Sequence, residues 1–278
     1  MGKRIIAVVS GKGGVGKSTL AVNLATRLSM RGASTLLIDS DFYNPCLSFH
    51  LGLTPLSVGL QEILDNKADV ADALSIYSLT GLRCISSSLR FYRNVRSKNL
   101  PKLMERLDYD FIIIDCSPGL PAFIEEVIRC SNELLIVMTP DVPSVMAAMK
   151  IFSIIKSKGN LEELRIVLNR VTNEPYELHP HEIENLCNNA RKDMTFKISI
   201  SVPEDSSVPR SIAIKTPVVI SAPSSPAGRV FTQFGDKLLA KNPAENRTDV
   251  NPVSVDLPPL KRGIISRIAD FFRRMRGR

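Results

Sequence analysis

A chain of 278 residues, 44% hydrophobic and 23% charged, can bury a sizeable core, which excludes a disordered body. Its apolar runs fall short of the roughly eighteen residues of a membrane span, and "MGKRIIAVVSGKGG" is too short an apolar start for a secretory signal, so a cytoplasmic protein is expected. The net charge of +8 is uneven: residues 257–278 supply +6 and the rest of the chain shares +2.

The elements follow in order. "RIIAVVS" (4–10) reads as a strand, and a helix is predicted from about Lys17 to Arg31, closed by Gly32. Further strands are predicted at 34–39, 82–87, 110–115, 133–139, 164–170 and 196–201, with a helix over 142–158 ending at Gly159. Alternating strands and helices, with near-continuous Ile, Leu and Val runs, predict an α/β fold: a mostly parallel central sheet with helices on both faces. Residues 1–240 form this domain. Residues 241–260 are polar with four prolines and read as a flexible linker. In 261–278, Ile264, Ile265, Ile268, Phe271, Phe272 and Met275 recur at helical spacing over an arc of roughly 120°, with Arg267, Arg273, Arg274 and Arg278 outside it. Cys46, Cys84, Cys116, Cys130 and Cys187 are odd in number and lack a C-x-x-C pair, which points to free thiols.

The chemistry concentrates in "SGKGGVGKST". Gly11 to Ser18 satisfies G-x-x-x-x-G-K-[ST] between a strand and a helix, the context of a phosphate-binding loop. Gly11, Gly13, Gly14 and Gly16 let backbone N–H groups turn to phosphate oxygens, with Val15 between them. Lys17 is expected on the β- and γ-phosphates, Ser18 on Mg²⁺ and Thr19 on the α-phosphate. Asp39 and Asp41 follow the second strand, and Asp115 ends "FIIID", where it would hold the Mg²⁺ shell. Lys12 is surplus to this pattern. It is either a surface lysine or a second cation placed to offset γ-phosphate charge in the transition state.

"KGGVGKST", "DSD", "IIIDCSPGLP", "VMTPDVPSV", "VLNRV", "SVPED" and "KTPVVISAPSSPAGRVF" together resemble the MinD/ParA family of deviant Walker A P-loop ATPases, over about residues 3 to 240. The resemblance implies a P-loop NTPase fold, the cofactors ATP and Mg²⁺, a homodimer when ATP is bound, and a partner protein that stimulates hydrolysis. In this chain it implies that Lys12 reaches the nucleotide of a partner copy, Asp41 orients the attacking water and Asp39 supports the magnesium. With Lys17, Lys12 and Asp41 form the expected catalytic set. It also implies that Asn169 bonds adenine, that Pro203 and Asp205 lie in the segment against base and ribose, and that "DCSPGLP" senses the γ-phosphate. One departure is that asparagine stands early in the loop after the aspartates, at Asn44 before Pro45.

Three partners fit the tail: an anionic membrane, nucleic acid, or a protein surface. The apolar stripe with Phe271 and Phe272 favours the membrane, where such a helix lies in the interface, and nucleic acid is the weaker reading. The family resemblance points the same way, placing the protein peripherally on the inner face of the cell membrane. The functions in view are a membrane-cycling ATPase of cell-division site selection, a DNA-partitioning ATPase, a flagellar-number regulator, a bacterial P-loop tyrosine kinase and an iron–sulfur carrier. The kinase would carry a tyrosine cluster near the end, and this chain has no tyrosine after Tyr176; the carrier would need a cysteine pair.

Overall fold

The computed structural model describes residues 3–90, 95–118, 121–155, 161–190, 192 and 195–240. The expected linker (241–260) and amphipathic helix (261–278), with Ile264, Ile265, Ile268, Phe271, Phe272 and Met275, lie outside the described residues.

Eight strands form one sheet: β1 (Arg4–Val9), β2 (Thr35–Ser40), β3 (Leu74–Tyr77), β4 (Leu82–Ile85), β5 (Phe111–Cys116), β6 (Glu133–Met138), β7 (Glu163–Val171) and β8 (Ile198–Pro203). Their spatial order is β3-β4-β2-β5-β1-β6-β7-β8, parallel throughout except for the β3–β4 pair. The α/β expectation therefore holds. Because both faces are covered, the apolar runs divide alternately between two cores. Ala7, Ile38, Ile114 and Ile136 face one core, with Leu103, Val127 and Phe152 from the helices Leu100–Arg106, Pro121–Cys130 and Val142–Ile154. Ile6, Leu37, Ile113 and Leu135 face the other, with Leu24 and Phe234 from the helices Lys17–Met30 and Pro226–Ala240.

Seven of the strands stand where the sequence places them, with the last shifted from 196–201 to Ile198–Pro203. Phe196 instead stacks on Phe152, ring centroids 4.1 Å apart, and is buried outside the strand. β3 is an addition. Its four residues at the sheet edge give too short a pattern to read as a strand. The first helix closes as expected: Gly32 takes φ +79°, its N–H donates to Ser29 O (2.9 Å), and Ala33 N donates to Leu28 O (3.2 Å). The helix expected over 142–158 ends at Ile154, and Gly159 lies outside the described residues. All five cysteines are free, and each is buried or half-buried.

β1 runs through the middle of the sheet between β5 and β6, and the loop after it opens at the edge where the parallel strands end. Such a crevice is where open α/β sheets bind ligands. The helix Pro226–Ala240 runs away from this edge to the strand starts, where Arg4 donates to Leu238 O and pairs with buried Glu133.

Candidate nucleotide site

Two close approaches shape the phosphate loop. A Cβ on Gly11 would stand 2.0 Å from Ala147 O in the helix Val142–Ile154, so only glycine lets that helix pack here. Gly16 has φ +94° and would place a Cβ 2.2 Å from Asn169 Nδ2. The helix that starts at Lys17 has no side-chain cap and no acidic residue in its first turn. Its first N–H groups and its dipole are thus open to an anion. Lys17 and Thr19 are buried at this end, and Ser18 stands between them half-buried.

Asp39 and Asp115 are direct register partners on β2 and β5, and both are buried. Asp39 is already engaged: Oδ1 accepts from Asp41 N (2.9 Å), and Oδ2 accepts from Cys46 N and Leu47 N (both 3.1 Å). Burial and the Asp115 charge push its carboxyl up to about 8. Neither oxygen of Asp115 has a hydrogen-bond partner. Burial raises this carboxyl to about 6, with Lys17 and Ser18 pulling the other way. Two adjoining buried carboxylates, one of them orphaned, fit a divalent cation. The described residues contain no cluster of three or more ligating side chains, so such a cation would share its shell with phosphate oxygens and water, as Mg²⁺ does. Ser18 and Asp115 are the residues free to hold it. Asp39 braces the 41–47 loop and adds charge nearby.

Asp41 ties two loops together. Its Oδ1 accepts from Tyr43 N (3.2 Å), Asn44 N (3.0 Å) and the Ser117 hydroxyl (3.1 Å), so the loop after β2 grips the loop after β5. Phe42 reinforces this edge-on against Phe123, centroids 4.9 Å apart. The sequence placed Asn44 in this loop and Ser117 in the segment after β5, but not the bonds by which both meet Asp41.

Lys12 lines a cavity of about 580 Å³ that Arg170, Thr172, Tyr176 and Glu204 also line. Its Nζ lies 3.1 Å from Asp141 Oδ1, with the two side chains 45% and 40% exposed. Asp141 also accepts from Ser144 N (2.9 Å) and from the Thr139 hydroxyl, which makes it the N-cap of the helix Val142–Ile154. Partial burial pushes its carboxyl up, but Thr139, Ser144 and Lys12 outweigh that and hold it below the usual range.

Asn169, expected on adenine, donates its amide to Val15 O (2.7 Å) and so supports the loop from behind. Next to it, Arg170 sits at a β-bulge with φ +60° and pairs with Glu204 (2.8 Å), which stands between Pro203 and Asp205. Asp205 holds two helix starts: Oδ1 accepts from Ser207 N (2.8 Å) and Oδ2 from Ala227 N (2.9 Å). The structure thus brings Gly11 to Thr19, Asp39, Asp41, Asp115 and Asn169 to one strand-end edge. Of the residues that sequence reasoning missed, Asp141 carried an N-cap signal before Val-Pro-Ser. Nothing local ties it to a lysine 129 positions away.

A strand-flanked phosphate loop at the centre of a doubly covered parallel sheet, with buried carboxylates at the ends of β2 and β5, defines a P-loop NTPase. A ParA family profile, described as NUBPL iron-transfer P-loop NTPase, matches residues 2–239, and the chain belongs to this MinD/ParA family. An uncharacterised ATP-binding protein of Methanocaldococcus jannaschii is 32% identical over 84% of this chain and 87% of its own length. The chloroplastic septum site-determining MinD homologue of Arabidopsis thaliana is 28% identical over 95% of this chain and 81% of its own length. The septum site-determining protein MinD of Pyrococcus horikoshii, solved with Mg-ADP, superposes with a TM-score of 0.75 at 26% identity, covering 86% of this chain and 98% of its own.

Proposed function

We propose that this protein is an ATP-hydrolysing switch that pairs with a second copy when ATP is bound, associates with an anionic membrane through residues 261–278, and is released by hydrolysis. Division-site selection or a related positioning task is the process that fits, with a partner protein stimulating the hydrolysis.

Mg²⁺, when bound, supplies charge that offsets the β- and γ-phosphates. Lys17 and the open helix start cradle those phosphates, Ser18 and Asp115 hold the cation, and Thr19 meets the α-phosphate. Asn169 and the Pro203–Asp205 segment line the base and ribose. Asp41 orients the attacking water once its hold on Ser117 is released. Lys12 reaches the nucleotide of the partner copy, where a cation offsets charge in the transition state.

The observation that carries the reading is the exposed Lys12–Asp141 pair in the lining of the cavity. The lysine has no role in the core and is held only by a weak surface contact, so moving it across a dimer interface costs little. Two tails in one dimer make the second membrane contact intramolecular, raising avidity by roughly 10² to 10⁴. Co-sedimentation with anionic vesicles tests this. Wild type is expected to pellet with ATP far more than with ADP, Lys12→Ala to bind ATP but neither hydrolyse nor cycle, and deletion of 261–278 to abolish pelleting. Equal pelleting in both nucleotides sinks the switch. Iron transfer, named in the family description, is not proposed, because the five cysteines of the chain include no C-x-x-C pair.

A further inference from the structure

The small net charge of the folded body conceals a one-signed stretch. Between Asp72 and Glu105 the sequence has no acidic residue but holds Arg83, Arg90, Arg93, Arg96, Lys98 and Lys102. Solvated surfaces normally mix signs.

The structure gathers part of this stretch around the helix Leu60–Leu64. The Gln61 side chain donates to Ser88 O (3.3 Å) and accepts from Ser88 N (2.8 Å), while the Asn99 amide donates to Leu64 O (2.7 Å). A helix of that length rises only about 7.5 Å, so Arg90 on one side and Arg96 and Lys98 on the other border the same small area. Arg90, Arg96, Lys98 and Lys102 are all exposed, and Leu89 beside them is 64% exposed. None of the four cations has an ion-pair partner among the described residues. Nearby acids are occupied, since Glu62 accepts from Gly59 N and Asp65 pairs with Lys67.

We propose that Leu89, Arg90, Arg96, Lys98 and Lys102 form a second contact with an anionic lipid surface, made by the folded body itself; this rests on the membrane association proposed above. Cations around an exposed large apolar side chain suit a headgroup boundary, where the charges meet phosphates and the leucine leaves water. A duplex would use the charges alone. The patch adjoins the nucleotide site, because Ser87 Oγ, two residues before Leu89, donates to the backbone carbonyl of Asp39 (2.9 Å). The helix Pro226–Ala240 ends at the opposite edge of the sheet, by Arg4. Residues 241–260 can extend to roughly 66 Å, which lets both contacts meet one surface.

The test uses the full chain with ATP and Mg²⁺ and vesicles of equimolar phosphatidylcholine and phosphatidylglycerol. R90E/R96E/K98E/K102E is expected to bind about tenfold or more weakly, with a shallower salt dependence, while its ATP affinity and melting temperature stay those of wild type. The corresponding quadruple Gln variant should fall between the two, which guards against misfolding of the Glu variant. Vesicle affinity equal to wild type overturns the proposal. So does loss of duplex DNA binding with vesicle binding intact, which assigns the patch to nucleic acid. Deletion of 261–278 is scored separately. If it leaves vesicle binding unchanged, the tail reading fails while the patch is still judged by its own charge variants.

Discussion

Lys12 Nζ and Asp141 Oδ1 stand 3.1 Å apart, joining the phosphate loop to the first turn of the helix Val142–Ile154. The pair is half in water, so it contributes no more than about 1 kcal/mol. Asp141→Asn removes the charge and keeps a side-chain oxygen for the Ser144 N–H, so the cap survives. If the pair restrains Lys12, the variant should form ATP-dependent dimers up to about fivefold more readily in sedimentation velocity, with an unchanged melting temperature. Weaker dimerisation would instead place Asp141 in the interface itself.

Asp39 and Asp115 set a pH dependence in the nucleotide-free protein. Both carboxyls are raised, to about 8 and about 6, above the ordinary value of 3.8. A raised folded value means that the folded state binds protons more tightly than the unfolded chain. The stability linked to these groups is therefore full below the ordinary value and is lost as pH rises through the folded ones. Thermal melts without nucleotide should show stability falling between about pH 5 and pH 8, and Asp115→Asn should flatten that slope. Mg-ADP should flatten it too, since a cation compensates both carboxylates. A slope unchanged in Asp115→Asn would show that the pair does not govern it.

The buried strands and the phosphate loop were legible because their signals are local. β1, β2, β5 and β6 read as unbroken apolar runs, and the loop carries its glycines and lysine in ten adjacent residues. What escaped is set by partners far along the chain. Asn169 meets Val15 across 154 positions, and no spacing rule reports that it supports the loop. Asp205 was read only as part of a segment beside base and ribose; that its oxygens accept from the N–H groups of two helix starts depends on Ala227, 22 positions on. β3 escaped because four edge residues give no usable period. The basic stretch around Arg90 was visible in composition but averaged out in the net charge.

Gly11 and Gly13 sit two residues apart and should respond unequally to alanine. At Gly11 the new methyl meets the Ala147 carbonyl at 2.0 Å, so the backbone of a packed helix must shift; at Gly13 nothing lies within 4 Å. Urea unfolding without nucleotide should therefore show Gly11→Ala losing about 1–3 kcal/mol, and Gly13→Ala changing by less than about 0.5 kcal/mol. Equal losses would mean that the loop does not pack against that helix as described.

Asp205 joins the end of β8 to the helices Ser207–Ala213 and Pro226–Ala240 by accepting from the first N–H groups of each. Its removal should act on the fold before it acts on the ligand. Partial burial raises its carboxyl, but the Ala227 and Ser207 N–H groups outweigh this and hold it below the ordinary value. The linked stability is thus present above the ordinary carboxylate range and lost as pH falls through the lowered folded value. Asp205→Ala should cost about 1–2 kcal/mol at neutral pH, as loss of a helix cap does, with the gap to wild type closing in acid. Nucleotide affinity should fall as well, because Pro203 and Glu204 are positioned by the same turn, whereas Asp205→Asn should restore part of both. Weakened nucleotide binding in Asp205→Ala at full fold stability would show that the carboxylate touches the ligand directly rather than through the helices it holds.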